Sequence, residues 1–239
     1  MTRRGFLPVF CLTCFNNQEV AVLLSVFFFQ RIPMKETAQV KSAVRQFQEL
    51  LNGAADRLRL GGPSTNAEEP KVLFPGAFNP LHDGHLQMAA QAESLLGEPV
   101  AFELSVDNVD KPPLSEAELM RRANQFSVEQ TVWFTRAKTF LEKSRLFPRV
   151  TFVVGLDTIT RIADLRYYEC HAARDATYQE LRDLQCRFLV FGRLIDGEFR
   201  TMSDVKLPRA LRELCQEVAA AEFRLDVSST QLRRREQSI

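Results

Sequence analysis

The stretch Lys71–Gln91 reads KVLFPGAFNPLHDGHLQMAAQ and carries a strand signal, a turn signal and a helix signal in succession. Its apolar run Val72–Phe74 stops at Pro75-Gly76, and apolar residues then recur at helical spacing from Leu86 onward. Strand, glycine-marked turn and helix start form the opening of a mononucleotide-binding βα unit, in which phosphate lies against the helix N-terminus. We predict that Gly76 allows a sharp turn and a close approach of the backbone to a ligand.

Two of the three histidines of the chain, His82 and His85, lie at the predicted start of this helix. Residues three positions apart on a helix are neighbours, so both imidazoles can converge on one anion. The structural alternative is that one of them caps the helix or fills a polar pocket. Because the pair flanks Asp83-Gly84 directly after a glycine turn, the pattern favours anion binding.

A second junction of strand and helix, Val227–Arg233 (VSSTQLR), lies near the C-terminus. Consecutive hydroxyl groups and free backbone N–H groups at a helix start bind anions, although they also serve as simple N-caps. GAFNPLHDGH resembles the G-x-F-x-P-x-H-x-G-H signature of the HxGH-motif nucleotidyltransferase superfamily (cytidylyltransferase-like), and VSSTQLR resembles its I-S-S-T-x-x-R element. The superfamily includes nicotinamide and nicotinate mononucleotide adenylyltransferases, and the resemblance covers roughly residues 71–235.

Apolar strand-like runs alternate with helical runs after residue 71, and this alternation predicts parallel strands joined by helical crossovers. The predicted strands are Val72–Phe74, Val100–Val106, Thr131–Thr135, Val150–Val154, Cys186–Phe191 and Phe223–Val227; the later helices are Glu116–Glu129, Ala137–Arg145, Thr158–Leu165 and Pro208–Ala221. Asp196-Gly197 predicts a small hairpin within Phe188–Phe199. With the resemblance, the expected fold is α/β: a Rossmann-like, doubly wound parallel sheet of about five strands with helices on both faces.

Three segments are expected along the chain. Residues 1–33 are expected to be a non-native or disordered N-terminal extension, with translation beginning at Met34. Residues 34–70 are expected to form a helix over Lys35–Leu60, because Val40, Val44 and Phe47 recur at helical spacing, followed by a linker. Residues 71–239 would form the nucleotidyltransferase domain.

Composition excludes several classes of partner. The 31 basic and 30 acidic residues leave a net charge of +1, so there is no global field to attract nucleic acid or an anionic membrane. The run Val20–Phe29 is half the length of a membrane span. Five irregularly spaced cysteines favour reduced thiols and a cytoplasmic protein.

The resemblance assigns roles in nucleotide binding. His82 and His85 contact the triphosphate, with His85 near the α-phosphate, and Arg233 adds a guanidinium group. Lys111 resembles the superfamily's phosphate-contacting lysine; the alternative is an exposed loop lysine. The other expected nucleotide-binding residues are Gly76, Ala77, Phe78, Gly84, Gly155, Asp157, Ser228, Ser229 and Thr230. Phe78 is also expected to pack under the loop, and Asp157 can instead be a helix N-cap.

The acceptor side is expected to involve Arg122, Arg166 and Tyr167, of which the tyrosine can stack on an acceptor ring. Trp133 lies within a predicted strand and is therefore expected to be a core residue rather than a ring clamp. This departure from the pyridine-nucleotide enzymes leaves the acceptor open.

The reaction that the resemblance implies is in-line attack of an acceptor oxygen on the α-phosphorus of ATP or CTP, with release of pyrophosphate. It needs aligned anions and stabilising donors rather than a covalent nucleophile. No protein metal site is expected, and Mg²⁺ would arrive with the triphosphate. The leading expectation is adenylyl transfer to nicotinamide or nicotinate mononucleotide. The alternatives are a cytidylyltransferase acting on a phospho-alcohol and a catalytically silent nucleotide-binding regulator; a homo-oligomer is possible.

Overall fold

The computed structural model describes residues 38–62, 69–107, 109, 113–195, 197–221 and 223, with side chains described from Arg45 onward. Two compact units divide the chain at Gln48 and Glu49. In the first unit, residues 38–48 belong to helix α1 (Ala38–Leu51). The segment 1–33, which is expected to be an extension, lies outside the described residues.

The second unit contains the strands. They are β1 (Arg57–Leu60), β2 (Val72–Pro75), β3 (Val100–Ser105), β4 (Val132–Thr135), β5 (Thr151–Gly155), β6 (Arg187–Phe191), β7 (Arg193–Ile195), β8 (Glu198–Arg200) and β9 (Cys215–Val218). The helices between them are α2 (Asp83–Leu96), α3 (Glu116–Ala123), α4 (Phe140–Leu146), α5 (Leu156–Ala163), α6 (His171–Asp183) and α7 (Arg209–Arg212). Two 3₁₀ turns occupy Leu165–Tyr167 and Met202–Asp204.

Seven strands form one sheet in the order β1-β4-β3-β2-β5-β6-β9. All neighbours are parallel except β1, which pairs antiparallel with β4 at one edge. The α/β, Rossmann-like prediction is therefore confirmed, with seven strands where about five were expected. The chain order reverses at β2, since β3 and β4 lie to one side of it and β5, β6 and β9 to the other. Such a reversal opens a crevice at the carboxyl ends of the strands.

Both faces of the sheet are buried, as a parallel sheet requires. Leu73 belongs to an apolar cluster with Phe152 and Phe188 from the sheet and with residues of α5 and α6. Its neighbour Phe74 points the other way, where its ring contacts those of Phe78 and Phe102. Successive strand residues therefore serve two separate packing layers.

Two helix predictions are wrong in extent. The helix expected over Lys35–Leu60 ends at Leu51, and Arg57–Leu60 forms the edge strand β1. A helix was expected over Pro208–Ala221, but only Arg209–Arg212 is helical and Cys215–Val218 forms β9 beside β6. At Arg57–Leu60 the alternating sequence RLRL favours a strand, which pairs with β4 at the sheet edge, whereas at Cys215–Val218 pairing with β6 outweighs local helix propensity.

Several smaller features complete the comparison with the predicted elements. Helix α3 ends at Ala123, short of the expected Glu129, and α6 was not predicted. The small hairpin is confirmed as the pair β7 and β8. Beyond Phe223, the last predicted strand lies outside the described residues. Among the described residues, no helix combines the length and apolarity needed to span a membrane.

Candidate functional site

A cavity of about 510 Å³ opens at the carboxyl ends of β2 and β3, beside the start of α5. The loop after β2 contributes Gly76 and Ala77, and α5 contributes Thr158 and Arg161. The cavity thus lies at the strand-order reversal, where ligands of open α/β sheets bind. The predicted site residues that line it are Gly76, Ala77, Arg122 and Tyr167.

The loop after β2 is shaped by a buried phenylalanine. Phe78 is 1% exposed, and its backbone φ of 42° lies in the left-handed region, which is uncommon for a bulky residue. A Cβ added to Gly76 would lie 2.6 Å from Cζ of Phe78. Gly76 is therefore required by close packing against this ring, and the expectation that Phe78 packs under the loop is confirmed.

Gly76→Ala is expected to destabilise the protein by about 1–3 kcal/mol, because Phe78 is enclosed by other rings and cannot move aside. The measurement is the free energy of unfolding in urea. Gly155→Ala is the control, because a Cβ there meets no described atom within 4 Å. Equal stability of both variants and the wild type would contradict the close-packing account.

Helix α3 and the turn that follows it hold the loop in place through three side chains. Arg122 donates from Nη1 to the carbonyl oxygen of Ala77 at 2.9 Å. Gln125 donates from Nε2 to the carbonyl oxygen of Phe78 at 2.9 Å and accepts from the N–H of Leu81 at 2.8 Å. Arg121 reaches the Asn79 side chain. Arg122 therefore positions the loop, and because it also lines the cavity its expected acceptor contact stays a prediction.

Glu118 accepts hydrogen bonds from both Arg121 and Arg122 and thereby holds their guanidinium groups in place. It accepts from Arg121 Nε and from Arg122 Nε, each at 2.8 Å, and these bonds lower the pKa of Glu118 to about 2, against the opposing effect of burial. Sequence reasoning missed Glu118 and Gln125. The available signal was their spacing, since residues 118, 121, 122 and 125 would share one face of the helix predicted over Glu116–Glu129.

Arg122→Met is expected to lower the free energy of unfolding by about 1–3 kcal/mol, because it removes two hydrogen bonds from a guanidinium that is mostly buried. The matched control is Arg182→Met, which breaks an exposed ion pair with Glu213 and should cost less than about 1 kcal/mol. Urea unfolding gives the free energy of unfolding of each variant. An equal loss in both would contradict the role of Arg122 in holding the loop after β2.

The two histidines meet at the start of α2. His82 is the N-cap, and its backbone N–H donates to Nδ1 of His85 at 3.3 Å. The rings stack with centroids 3.8 Å apart, and the ring of Phe78 lies edge-on to His85 at 5.1 Å. Because Nδ1 of His85 accepts a bond, the neutral ring carries its proton on Nε2 and offers one N–H donor.

Burial lowers the pKa of both rings. For His85, burial and then the nearby His82 bring the pKa from 6.5 to about 3. For His82, burial lowers the pKa and the neighbouring Asp83 opposes the shift. Both imidazoles are therefore neutral donors in the free protein near neutral pH, and an arriving anion would favour their protonation.

The lowered pKa of His85 predicts acid sensitivity. The unfolded chain binds this proton near pH 6.5 and the folded protein near pH 3, so the unfolded state holds more protons in between. The contribution of His85 to the free energy of unfolding is fully present above pH 6.5 and is lost as the pH falls. The loss between pH 7 and pH 4 is about 2 kcal/mol, after a reduction for the partial exposure of the ring to solvent. The free energy of unfolding of the wild type and of His85→Ala, measured in urea as a function of pH, isolates this contribution. The same pH dependence in both proteins would contradict it.

Gly155 and Asp157 lie at the junction of β5 and α5, and the alternative in which Asp157 is the helix N-cap is wrong. Gly155 is the N-cap residue of α5, and Asp157, in its first turn, is exposed and ion-paired with Arg193. Asp157 does not line the cavity among the described residues, whereas Thr158 and Arg161 on the same helix do. Its role as a nucleotide-binding residue therefore stays a prediction.

Two guanidinium groups lie close to the ring of Tyr167. The Cζ atoms of Arg161 and Arg166 are 5.6 and 4.8 Å from its ring centroid, within reach of cation–π attraction. Arg166 also bonds Asp164 and the Tyr167 hydroxyl. Tyr167 lines the cavity, whereas Arg166 is exposed and does not line it among the described residues.

The floor of the cavity holds a buried ion pair that sequence reasoning missed. Glu103 in β3 is 1% exposed and Lys143 in α4 is 5% exposed, with Oε1 and Nζ 2.7 Å apart. Thr135 also donates to Oε1 at 2.6 Å. The available signal was a single acidic residue inside the apolar strand run VAFELSV.

The remaining predicted residues lie elsewhere. Gly84 is buried in the first turn of α2, and Trp133 is in β4 against Phe147, as a core residue would be. Lys111, Ser228, Ser229, Thr230 and Arg233 lie outside the described residues. Within the described ranges, no group of three or more histidine, cysteine or acidic side chains is arranged to hold a metal ion.

A mostly parallel, doubly wound sheet with a charged cavity at its strand-order reversal defines a Rossmann-like α/β protein. The profile of the family described as cytidylyltransferase-like matches residues 73–235, so the chain belongs to that family. Membership supports a nucleotidyltransferase activity with a nucleoside triphosphate as substrate. The comparison with curated proteins gives no match.

Proposed function

We propose that the protein transfers the adenylyl group of ATP·Mg²⁺ to nicotinamide or nicotinate mononucleotide and releases pyrophosphate. The observation that carries this proposal is the cavity at the strand-order reversal. The cavity is bordered by the glycine loop, residues 76–82, which leads from β2 into the histidine-bearing helix α2. Such a junction provides the backbone donors and helix dipole that hold phosphate.

The reaction is a displacement at the α-phosphorus. An oxygen of the acceptor phosphate forms the new P–O bond, the bond between the α-phosphorus and the bridging oxygen breaks, and its electron pair leaves with pyrophosphate. His85 donates its Nε2–H to an α-phosphate oxygen, and His82 donates to a neighbouring oxygen. Donors aimed at the developing charge stabilise the transition state without any covalent step.

The cavity suits a phosphorylated acceptor. Among its described lining residues, the basic ones are Arg122, Lys138, Lys143 and Arg161, and the acidic ones are Glu103 and Asp107. The excess of basic side chains attracts an anion. Tyr167 and Tyr168 also line it, and such aromatic faces suit a heteroaromatic ring.

The resemblance adds residues outside the structural description. Ser228, Ser229 and Thr230 would receive the β- and γ-phosphates, with Arg233 as a guanidinium clamp and Lys111 as a further phosphate contact. Magnesium enters as part of the nucleotide substrate, coordinated mainly by phosphate oxygens and water.

Cytidylyl transfer to a phospho-alcohol is the second candidate, and the observation that favours it is the family itself, which is described as cytidylyltransferase-like. A pyrophosphate-release assay that crosses ATP and CTP with the two mononucleotides, phosphocholine and phosphoethanolamine separates the candidates. The expected result is release only with ATP and a pyridine mononucleotide. Release only with CTP and a phospho-alcohol would replace the proposal, and no release with any pair would refute both.

A further inference from the structure

Glu103 is the most deeply buried charged side chain lining the cavity, and only half of its carboxylate is used within the described structure. Lys143 Nζ and Thr135 Oγ1 both donate to Oε1, at 2.7 and 2.6 Å. Oε2 is buried and has no hydrogen-bond partner among the described residues. A buried carboxylate oxygen without a donor is costly, so its presence in a folded protein calls for an explanation.

The position of Glu103 connects this oxygen to ligand binding. The carbonyl oxygen of Glu103 accepts from the N–H of Gly76, which places the residue beside the glycine loop. Glu103 lines the cavity together with Ser105 on the same strand face and with Lys143 from α4. A ligand seated in the cavity therefore lies beside Glu103, whose Oε2 is the carboxylate oxygen without a hydrogen-bond partner among the described residues.

The charges around the cavity divide it into two parts. Arg161 and Lys138 carry positive charge and are exposed, whereas the Glu103–Lys143 pair is internal and neutral in sum. Lys143 Nζ also donates to the carbonyl oxygen of Ala137 at 3.0 Å, so most of its donors are used within the protein. A phosphate suits the exposed side, and an uncharged donor group suits the floor.

We infer, on the basis of the proposed function, that Glu103 is a specificity-determining residue whose Oε2 accepts a hydrogen bond from the carboxamide N–H of the acceptor, so that nicotinamide mononucleotide is selected over nicotinate mononucleotide. An amide N–H satisfies the open acceptor position. A carboxylate in the same place offers no donor and sets a second negative charge beside the first.

The test uses the wild-type protein and three acceptors that differ at one group: nicotinamide mononucleotide, nicotinate mononucleotide and 3-acetylpyridine mononucleotide. The methyl ketone has the shape of the amide but no donor and no charge. Affinities are measured by calorimetry without nucleoside triphosphate. The amide is expected to bind about 10- to 100-fold more tightly than the ketone, because a lost bond leaves Oε2 unsatisfied again. The carboxylate should bind at least as weakly as the ketone.

Glu103→Gln supplies the protein-side arm, because its amide presents a donor as well as an acceptor in nearly the same shape. The ratio of amide to carboxylate affinity is expected to fall by at least about tenfold, which a purely structural role would not change. Glu180→Gln, which breaks an exposed pair with Arg145, should leave the ratio unchanged. If Glu103→Gln does not fold, the wild-type acceptor series decides alone.

The outcomes separate the two proposals. Amide preference in binding without pyrophosphate release from ATP would overturn the proposed reaction and leave the role of Glu103 standing. Equal affinity for amide and ketone, tighter binding of the carboxylate, or binding of none of the three acceptors would overturn the role of Glu103, whatever the activity.

Discussion

His85→Ala is expected to lower the rate of pyrophosphate release at least about 100-fold while the protein stays folded, because loss of one preorganised donor to developing charge has an effect of this size. The donor is Nε2–H, since Nδ1 accepts from the backbone N–H of His82. The measurement is kcat with saturating ATP and acceptor, and circular dichroism reports on the fold.

The third histidine, His171, provides a matched control. It is exposed at the first position of α6, and His171→Ala should keep the wild-type rate. A His85→Ala enzyme with undiminished kcat would remove this imidazole from the mechanism. A variant with a raised KM alone would show that the ring binds ground state and transition state equally.

Lys143→Met is expected to reduce the free energy of unfolding by about 3–5 kcal/mol, because it leaves the carboxylate of Glu103 buried without its ammonium partner. Lys143 is 5% exposed, and it also bonds the carbonyl oxygen of Ala137. Urea unfolding at neutral pH is the measurement. This effect is large relative to the 5–15 kcal/mol that stabilises typical domains.

Two further variants distinguish burial from charge. Arg145→Met removes the exposed pair with Glu180, and the expected cost is below about 1 kcal/mol. Glu103→Leu combined with Lys143→Met removes both charges, and the double variant should be more stable than Lys143→Met alone. A loss for Lys143→Met as small as that for Arg145→Met would mean that Glu103 is solvated or differently paired.

The sequence contained more than the prediction used. Asn52-Gly53 ends α1, where Gly53 has a φ of 82°, and the alternating segment RLRL at 57–60 is typical of a strand. The edge strand β1 was therefore predictable from local signals. By contrast, Cys215–Val218 has no strong strand pattern, and its pairing with Phe188–Phe191 is a long-range choice.

What the sequence alone determined is the local chemistry: a strand, a glycine-marked turn and two histidines three residues apart, together with the alternation that leads to a doubly wound sheet. These features follow from short-range signals: the periodicity of apolar residues, the preference of certain residues for turns, and the residues that begin a helix. Only the tertiary structure decided that Arg122 and Gln125 donate hydrogen bonds to the glycine loop, with Glu118 holding Arg122. The same is true of the buried ion pair between Glu103 and Lys143. Such contacts join residues up to 47 positions apart, and no local rule encodes which distant strand and helix faces will oppose each other.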